Sequence, residues 1–306
     1  MTLQEIESAS TTLAERLGIS LPPRNETKPR TTGVTMVMDQ GWSCDFVAGM
    51  LAQFGGCLDI AKLWDPHLLA PAAEVERKIR AYHEADVIVQ PGGIFLEMAR
   101  RQGKEREALQ QFADIGFTGI ELSSTTATRS DMESELALID YAKELGFTVM
   151  GEVGRKFDGG DETRLTANVI DVETTVQEFE ALLEAGAWKV YWEGHLLREV
   201  MGDDPDTIRS RAGAGTSQVL EVARRVGTEN IVFEASGLRP RSNRQWLQFW
   251  LVRLFGPDVN IGNARIEELA SLEAIRRGSH PIFGFGDAGN YPALRAHDPD
   301  AKWWRG

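Results

Sequence analysis

Four runs of β-branched and aromatic residues each close on a glutamate: Gly119-Ile-Glu121, Val149-Met-Gly-Glu152, Val190-Tyr-Trp-Glu193 and Ile231-Val-Phe-Glu234. Two earlier runs close on other charges, Val34-Thr-Met-Val-Met-Asp39 and Leu58-Asp-Ile-Ala-Lys62. An apolar strand that finishes on a charge has reached the rim of its core. Where the pattern recurs along a chain, the charges gather at one end of a parallel sheet. The sequence predicts strands near 33–39, 58–63, 86–90, 118–123, 147–153, 187–193, 230–235 and 258–262. Amphipathic stretches of helical period lie between them at 43–54, 72–85, 94–101, 104–115, 134–145, 174–185 and 217–226, with a last helix at 266–277. Gly116, Gly146, Gly186 and Gly227 stand where a helix ends before the next strand. Eight such alternations over about 250 residues favour a closed (β/α)8 TIM barrel above an open doubly wound sheet. No Gly-x-Gly-x-x-Gly follows the first strand, so the dinucleotide-binding signature is absent.

The barrel is expected over residues 31–279 of the 306, preceded by an arm (1–30) and followed by a tail (280–306). Leu3, Ile6, Leu13 and Leu17 make residues 1–17 a weak amphipathic helix, and 18–31 is rich in proline and charge, as in a linker or an extended arm. The tail carries Phe283-Gly-Phe-Gly286 and Trp303-Trp304, suited to packing, to an oligomer contact, or to folding over the barrel mouth. A net charge of −13 argues against nucleic acid or an anionic membrane as partner. Cys44 and Cys57 lie in no metal-type cluster and read as inert thiols. With no signal-peptide pattern and no apolar run of about 18 residues, a cytoplasmic protein is expected.

In such a barrel the carboxyl ends of the strands carry the active site. Asp39, Glu121, Glu152, Glu193 and Glu234 would converge there, and carboxylates crowded together repel unless a cation sits among them. Hard oxygen donors of this kind suit Mg²⁺. The alternative is that each acid pairs with a strand-end cation, for which Lys62, Arg155, Lys156 and Arg265 are available. Lys62 and Lys156 are candidates to neutralise an anion, form a Schiff base or move a proton. Pro91-Gly92-Gly93, directly after the third strand, could turn backbone N–H groups toward an anion at a helix start, and Gly262-Asn263 offers the same after the eighth. His67 and His195 fall in strand-end loops, where a histidine can exchange protons near neutral pH.

Taken in order, Thr32-Thr-Gly-Val-Thr-Met-Val-Met-Asp39, Asp59-Ile-Ala-Lys62-Leu, Pro91-Gly92-Gly93, Gly116-Phe-Thr-Gly-Ile-Glu121-Leu-Ser, Gly151-Glu152-Val-Gly-Arg-Lys156 and Phe255-Gly-Pro-Asp-Val-Asn-Ile-Gly-Asn263 resemble the phosphosulfolactate synthases, over roughly residues 30 to 278. The resemblance implies a (β/α)8 barrel that, with Mg²⁺, adds sulfite to the enol carbon of phosphoenolpyruvate. It places Lys156 at the position of the family's proposed proton donor and Arg155 beside it, among groups that bind anionic substrate. It also implies self-association. The sequence departs from the family pattern in four loops. Asp39-Gln40-Gly41 stands where Asp-Lys-Gly is usual, Trp64-Asp65-Pro66-His67-Leu68 where Gly-Trp-Gly-Thr-Ser is usual, Ser123-Ser124-Thr125 where Ser-Asp-Gly is usual, and Glu193-Gly194-His195 where Glu-Ala-Arg is usual. Cations are lost at positions 40 and 195, which points to sulfite as nucleophile with either phosphoenolpyruvate or a less charged unsaturated carboxylate as acceptor. A barrel lyase or isomerase working through an enolate without sulfur, and a non-catalytic barrel, are the competing readings.

Overall fold

The computed structural model describes residues 12–122, 129–154, 157–158, 161–165, 170–202, 204, 206, 208, 215–235 and 241–280. Eight strands form one sheet: β1 (Thr35–Asp39), β2 (Ile60–Leu63), β3 (Ile88–Pro91), β4 (Gly119–Leu122), β5 (Thr148–Val153), β6 (Lys189–Trp192), β7 (Ile231–Glu234) and β8 (Ile261–Arg265). Their order is β3-β2-β1-β8-β7-β6-β5-β4, and every ladder is parallel. The two end strands meet where Thr118 N donates to Val89 O at 2.9 Å, so the sheet is a nearly closed barrel wrapped by helices. This is the (β/α)8 architecture expected from the sequence.

The first seven strands fall where the apolar runs place them. The eighth starts three residues later than expected, with the carbonyls of Pro257 and Val259 turned to a side chain instead of a neighbouring strand. Arg276 Nη1 takes the carbonyls of Pro257 and Val259, each at 2.6 Å. Asn260 Oδ1 accepts from Val34 N at 3.0 Å while its amide donates to Ile231 O at 3.0 Å. Gly116, Gly146, Gly186 and Gly227 all have positive φ, which glycine adopts without a Cβ clash where a helix ends, and Gly116 forms the left-handed cap. Three elements go beyond the expectation: the helices Gly194–Met201 and Arg241–Phe255, and an antiparallel hairpin after β5, Phe157–Asp158 with Asp161–Leu165.

Side chains alternate across each strand, so the two faces of the sheet can be read from the core. Val34, Met36, Ile60, Met150, Tyr191 and Val232 fill the barrel interior. Val37, Ala61, Ile120, Leu122, Val149, Val153, Trp192 and Phe233 belong to the larger layer between strands and helices.

The stretch 24–33 packs against the N-terminal end of the barrel. Arg24 pairs with Glu273 and donates to Gly33 O at 2.6 Å. Arg30 pairs with Asp59 at 2.8 Å. Lys28 reaches two helix C-termini, donating to Gly55 O at 2.9 Å and Ala85 O at 3.0 Å. Of the amphipathic segment at the start of the chain, Leu13–Arg16 is helical, with Leu13 and Leu17 exposed. The expected lid or oligomer elements at 281–306, and residues 1–11, lie outside the described residues.

Candidate active site

Alternation decides which strand-end charges enter the barrel. Ile60 faces inward, so Lys62 does too, and Met150, Tyr191 and Val232 likewise bring Glu152, Glu193 and Glu234 to the inner face. Glu121 sits between Ile120 and Leu122, both in the outer layer, and therefore also points in. Glu152, Glu193 and Glu234 each place a carboxylate oxygen within 4.8 Å of the other two, Glu193 and Glu234 buried and Glu152 half-buried. Two glycines shape the surroundings. A Cβ on Gly154 would lie 2.8 Å from Glu193 Cβ, and one on Gly119 would lie 2.8 Å from Ile88 and 3.3 Å from Gln90 Cβ.

Beneath the three glutamates lies a lysine. Lys62 Nζ is 2.6 Å from Glu121 Oε2 and 3.1 Å from Glu234 Oε1, and sits 4.8 Å from the Tyr191 ring centroid. Burial alone would depress its ammonium. Glu121 and Glu234 outweigh that, holding it well above its ordinary value. A lysine so held stays charged at neutral pH and is a poor base or Schiff-base nucleophile, so of the roles open to it, counter-charge fits best.

Asp39 stands apart from the other acids. It follows Val37 on the outward face and pairs in register with Leu63, so its carboxylate enters the layer between the sheet and the helix Ala72–His83. There Lys78 Nζ is 3.0 Å from Oδ2, Tyr82 OH donates to the same oxygen at 3.0 Å, and Gly41 N donates to Oδ1 at 2.9 Å. The expectation that Asp39 joins the mouth therefore fails on strand parity. His67 belongs to this outer group. Its Nδ1 lies 2.8 Å from the Trp64 carbonyl, which can only accept, so Nδ1 carries the proton and Nε2 accepts from Lys78 at 2.8 Å. Burial, aided by the Lys78 charge, lowers its pKa against the pull of the Trp64 carbonyl and Asp39, so this histidine is neutral at pH 7. His67, Gln40, Cys44 and Lys78 line a cavity of about 280 Å³ outside the ring of strands.

The expected backbone anion sites are not formed as anticipated. Gly92 N–H is already donated to Leu63 O at 2.9 Å, leaving Gly93 as the first residue of the helix Gly93–Arg101. Gly262 and Asn263 lie inside β8, not beyond it. A Cβ at Gly262 would meet Met36 at 3.0 Å and Val232 at 3.1 Å, and Asn263 takes a φ of 51° at the irregular register between β1 and β8. His195 opens the helix Gly194–Met201, its N–H donating to Glu193 Oε1 at 3.0 Å, so Glu193 caps that helix as well as joining the cluster. His195 Nε2 is buried with no hydrogen-bond partner among the described residues. Arg155 and Lys156 lie outside the described residues.

Two interior residues escaped the sequence reading. Tyr191 OH donates to Gln90 Oε1 at 3.1 Å, and Gln90 Nε2 donates to Glu121 Oε2 at 3.1 Å. Both side chains are fully buried. The available signal was parity: each sits on the inward register of its strand, Gln90 two residues from Ile88 and Tyr191 two residues from Glu193.

A near-closed parallel barrel with an acid cluster at the carboxyl ends of its strands is the frame of a (β/α)8 enzyme. Residues 23–281 match the family model described as (2R)-phospho-3-sulfolactate synthase (ComA). The chain is 30% identical over 260 residues to the phosphosulfolactate synthase of Methanothermobacter thermautotrophicus, covering 84% of this chain and 93% of that one. It is 32% identical over 248 residues to that of Methanocaldococcus jannaschii, covering 80% and 91%. Among solved structures, pyruvate carboxylase from Rhizobium etli superposes with a TM-score of 0.52 at 10% identity, over 90% of this chain and 31% of that one, a likeness of fold alone. The chain belongs to the phosphosulfolactate synthase family, as a divergent member, and is an enzyme of that carbon–sulfur lyase kind.

Proposed function

We propose that this enzyme adds sulfite to the enol carbon of phosphoenolpyruvate or a related unsaturated acid, with Mg²⁺ as cofactor. The observation that carries the reading is the inward cluster of Glu152, Glu193 and Glu234 in a member of this family. The donor set fits the ion. Three carboxylates with two of them buried bring together negative charge that a divalent cation would offset, and oxygen donors are what Mg²⁺ prefers. When bound, Mg²⁺ supplies positive charge against the electron density that builds on the acceptor's carboxylate.

In the addition, the sulfur lone pair forms the C–S bond at the methylene carbon. The C=C pair moves toward the neighbouring carbon and its carboxylate, and a proton delivered to that carbon completes the product with no leaving group. Lys156 is the proposed donor of that proton, at the position matching the family's. Lys62, paired with two glutamates, keeps positive charge under the site without reacting. His195, beside Glu193, is suited to orient the acceptor. Gln40 and His195 stand where the family pattern carries cations, which supports a second reading in which the acceptor lacks the phosphate.

The test is incubation of the purified enzyme with Mg²⁺, sulfite and phosphoenolpyruvate, followed by mass spectrometry. A phosphosulfolactate product supports the first reading. Product only with an unphosphorylated unsaturated acid supports the second, and no sulfonate from either overturns both.

A further inference from the structure

Five side chains from five strands form one unbroken chain of contacts across the barrel interior: Tyr191 to Gln90, Gln90 to Glu121, Glu121 to Lys62, and Lys62 to Glu234. Its last member is also a member of the three-glutamate cluster. Glu234 is therefore contested by two cations, the lysine ammonium already beside it and any divalent ion the cluster takes up.

Where Lys62 sits between its two partners is set from the far side of the barrel. Glu121 Oε2 receives both the Gln90 amide and the ammonium, at 3.1 and 2.6 Å. The amide shares that oxygen with Lys62 and weakens its hold, so the ammonium, closest to Glu121, also reaches Glu234 Oε1 at 3.1 Å. The Tyr191 hydroxyl, donating to Gln90 Oε1, fixes which way the amide points, because only the nitrogen end can donate to Glu121. The Tyr191 ring beneath the ammonium favours positive charge there. Room for this arrangement comes from Gly119, where a Cβ would lie 3.3 Å from Gln90 Cβ.

We infer that Gln90 and Tyr191 are positioning residues that hold Lys62 as a resident counter-cation against Glu234, and that this contact sets the affinity of the glutamate cluster for its divalent ion. Lys62 orients the Glu234 carboxylate and withholds part of its charge, so the metal is bound more weakly than three unshared carboxylates would bind it. The inference rests on the metal reading of the cluster.

The test uses Mn²⁺ as probe, titrated by electron paramagnetic resonance and by calorimetry on the intact enzyme, without substrate. Removing Lys62 alone strands two buried carboxylates, so the working variant is Lys62→Met with Glu121→Gln, which leaves the interior's formal charge unchanged. That variant is expected to bind Mn²⁺ at least fivefold more tightly than wild type. Gln90→Leu, which removes the amide that competes for Glu121 Oε2 and so draws the ammonium away from Glu234, shifts affinity the same way by about twofold to fivefold, and restoring a short amide with Gln90→Asn brings back part of the wild-type value. Wild-type binding with unchanged affinity in both the double variant and Gln90→Leu, each folded by circular dichroism, overturns the relay and leaves the metal site standing. No Mn²⁺ binding by wild type removes the metal site and the relay with it.

Discussion

The two ends of this barrel handle buried charge in opposite ways. At the N-terminal end, cations meet neighbours that match them: Arg30 with Asp59, Arg24 with Glu273, Lys28 with two helix-terminal carbonyls, Arg276 with the carbonyls of Pro257 and Val259. At the C-terminal end, Lys62 pairs with Glu121 and Glu234, and Glu234 clusters in turn with Glu152 and Glu193. Matched pairs and saturated carbonyls hold a fold together, since a buried ion is tolerated when its hydrogen-bonding capacity is met. Like charges set side by side work against folding and are kept where a ligand will join them. The comparison teaches that stability and chemistry are assigned to opposite ends of the same strands, and substitutions at the two ends should therefore fail differently.

The largest expected effect is on turnover. Lys156→Ala should lower turnover by about 10²- to 10⁴-fold, the usual contribution of a general acid, with an unchanged melting temperature. Steady-state kinetics beside a thermal melt checks this, and wild-type turnover would remove Lys156 as proton donor. Next comes the N-terminal end. Arg30→Met leaves Asp59 buried without its guanidinium and should destabilise the fold by about 3 kcal/mol, read by urea denaturation, while kcat of the folded enzyme stays within twofold. A loss of kcat at full stability would erase the division between the ends. A smaller effect is expected at Gly154, which has a φ of 107° and lies against Glu193. Gly154→Ala should cost about 1 kcal/mol or more of stability and weaken the Mg²⁺ response, because the added methyl displaces a member of the cluster.

The smallest effect concerns pH. His67 is held neutral by burial and Lys78, so its folded pKa lies below its unfolded value. The unfolded chain then takes up a proton that the native state resists, and stability falls as pH drops below about 6.5. His67→Gln should flatten that acid limb in melts between pH 7.5 and 5. An unchanged slope would assign the limb to other groups.

Much of this was legible in the sequence. Runs that end on charge and glycines that end helices gave the strand count and the direction of the sheet, because both signals are local. Strand parity, equally local, separates Glu121, Glu152, Glu193 and Glu234 from Asp39, two residues from the outward-facing Val37, although charge at the strand ends alone groups all five. The start of β8 was not legible, since it depends on Arg276 taking the carbonyls of Pro257 and Val259 and on the Asn260 side chain bonding Val34 and Ile231 across the fold. Gln90 and Tyr191 were missed for a related reason. Parity turns both inward, but nothing local says what they do there, since their partners are 31 and 101 residues away. The arm at 24–33 reads as a linker by composition, yet its cations find carbonyls and carboxylates that only the closed barrel brings together.

Glu152, Glu193 and Glu234 crowd negative charge at the mouth, and a divalent cation joining them should stabilise the fold. The most direct measurement is the melting temperature of wild type and Glu193→Gln with and without Mg²⁺, since glutamine keeps the oxygen that caps the helix Gly194–Met201. Without metal, the variant should melt at or above the wild-type temperature. Saturating Mg²⁺ should raise the wild type by a few degrees, through binding to the native state alone, and move the variant little. A variant that melts well below wild type without metal, or that gains as much from Mg²⁺, would contradict the account.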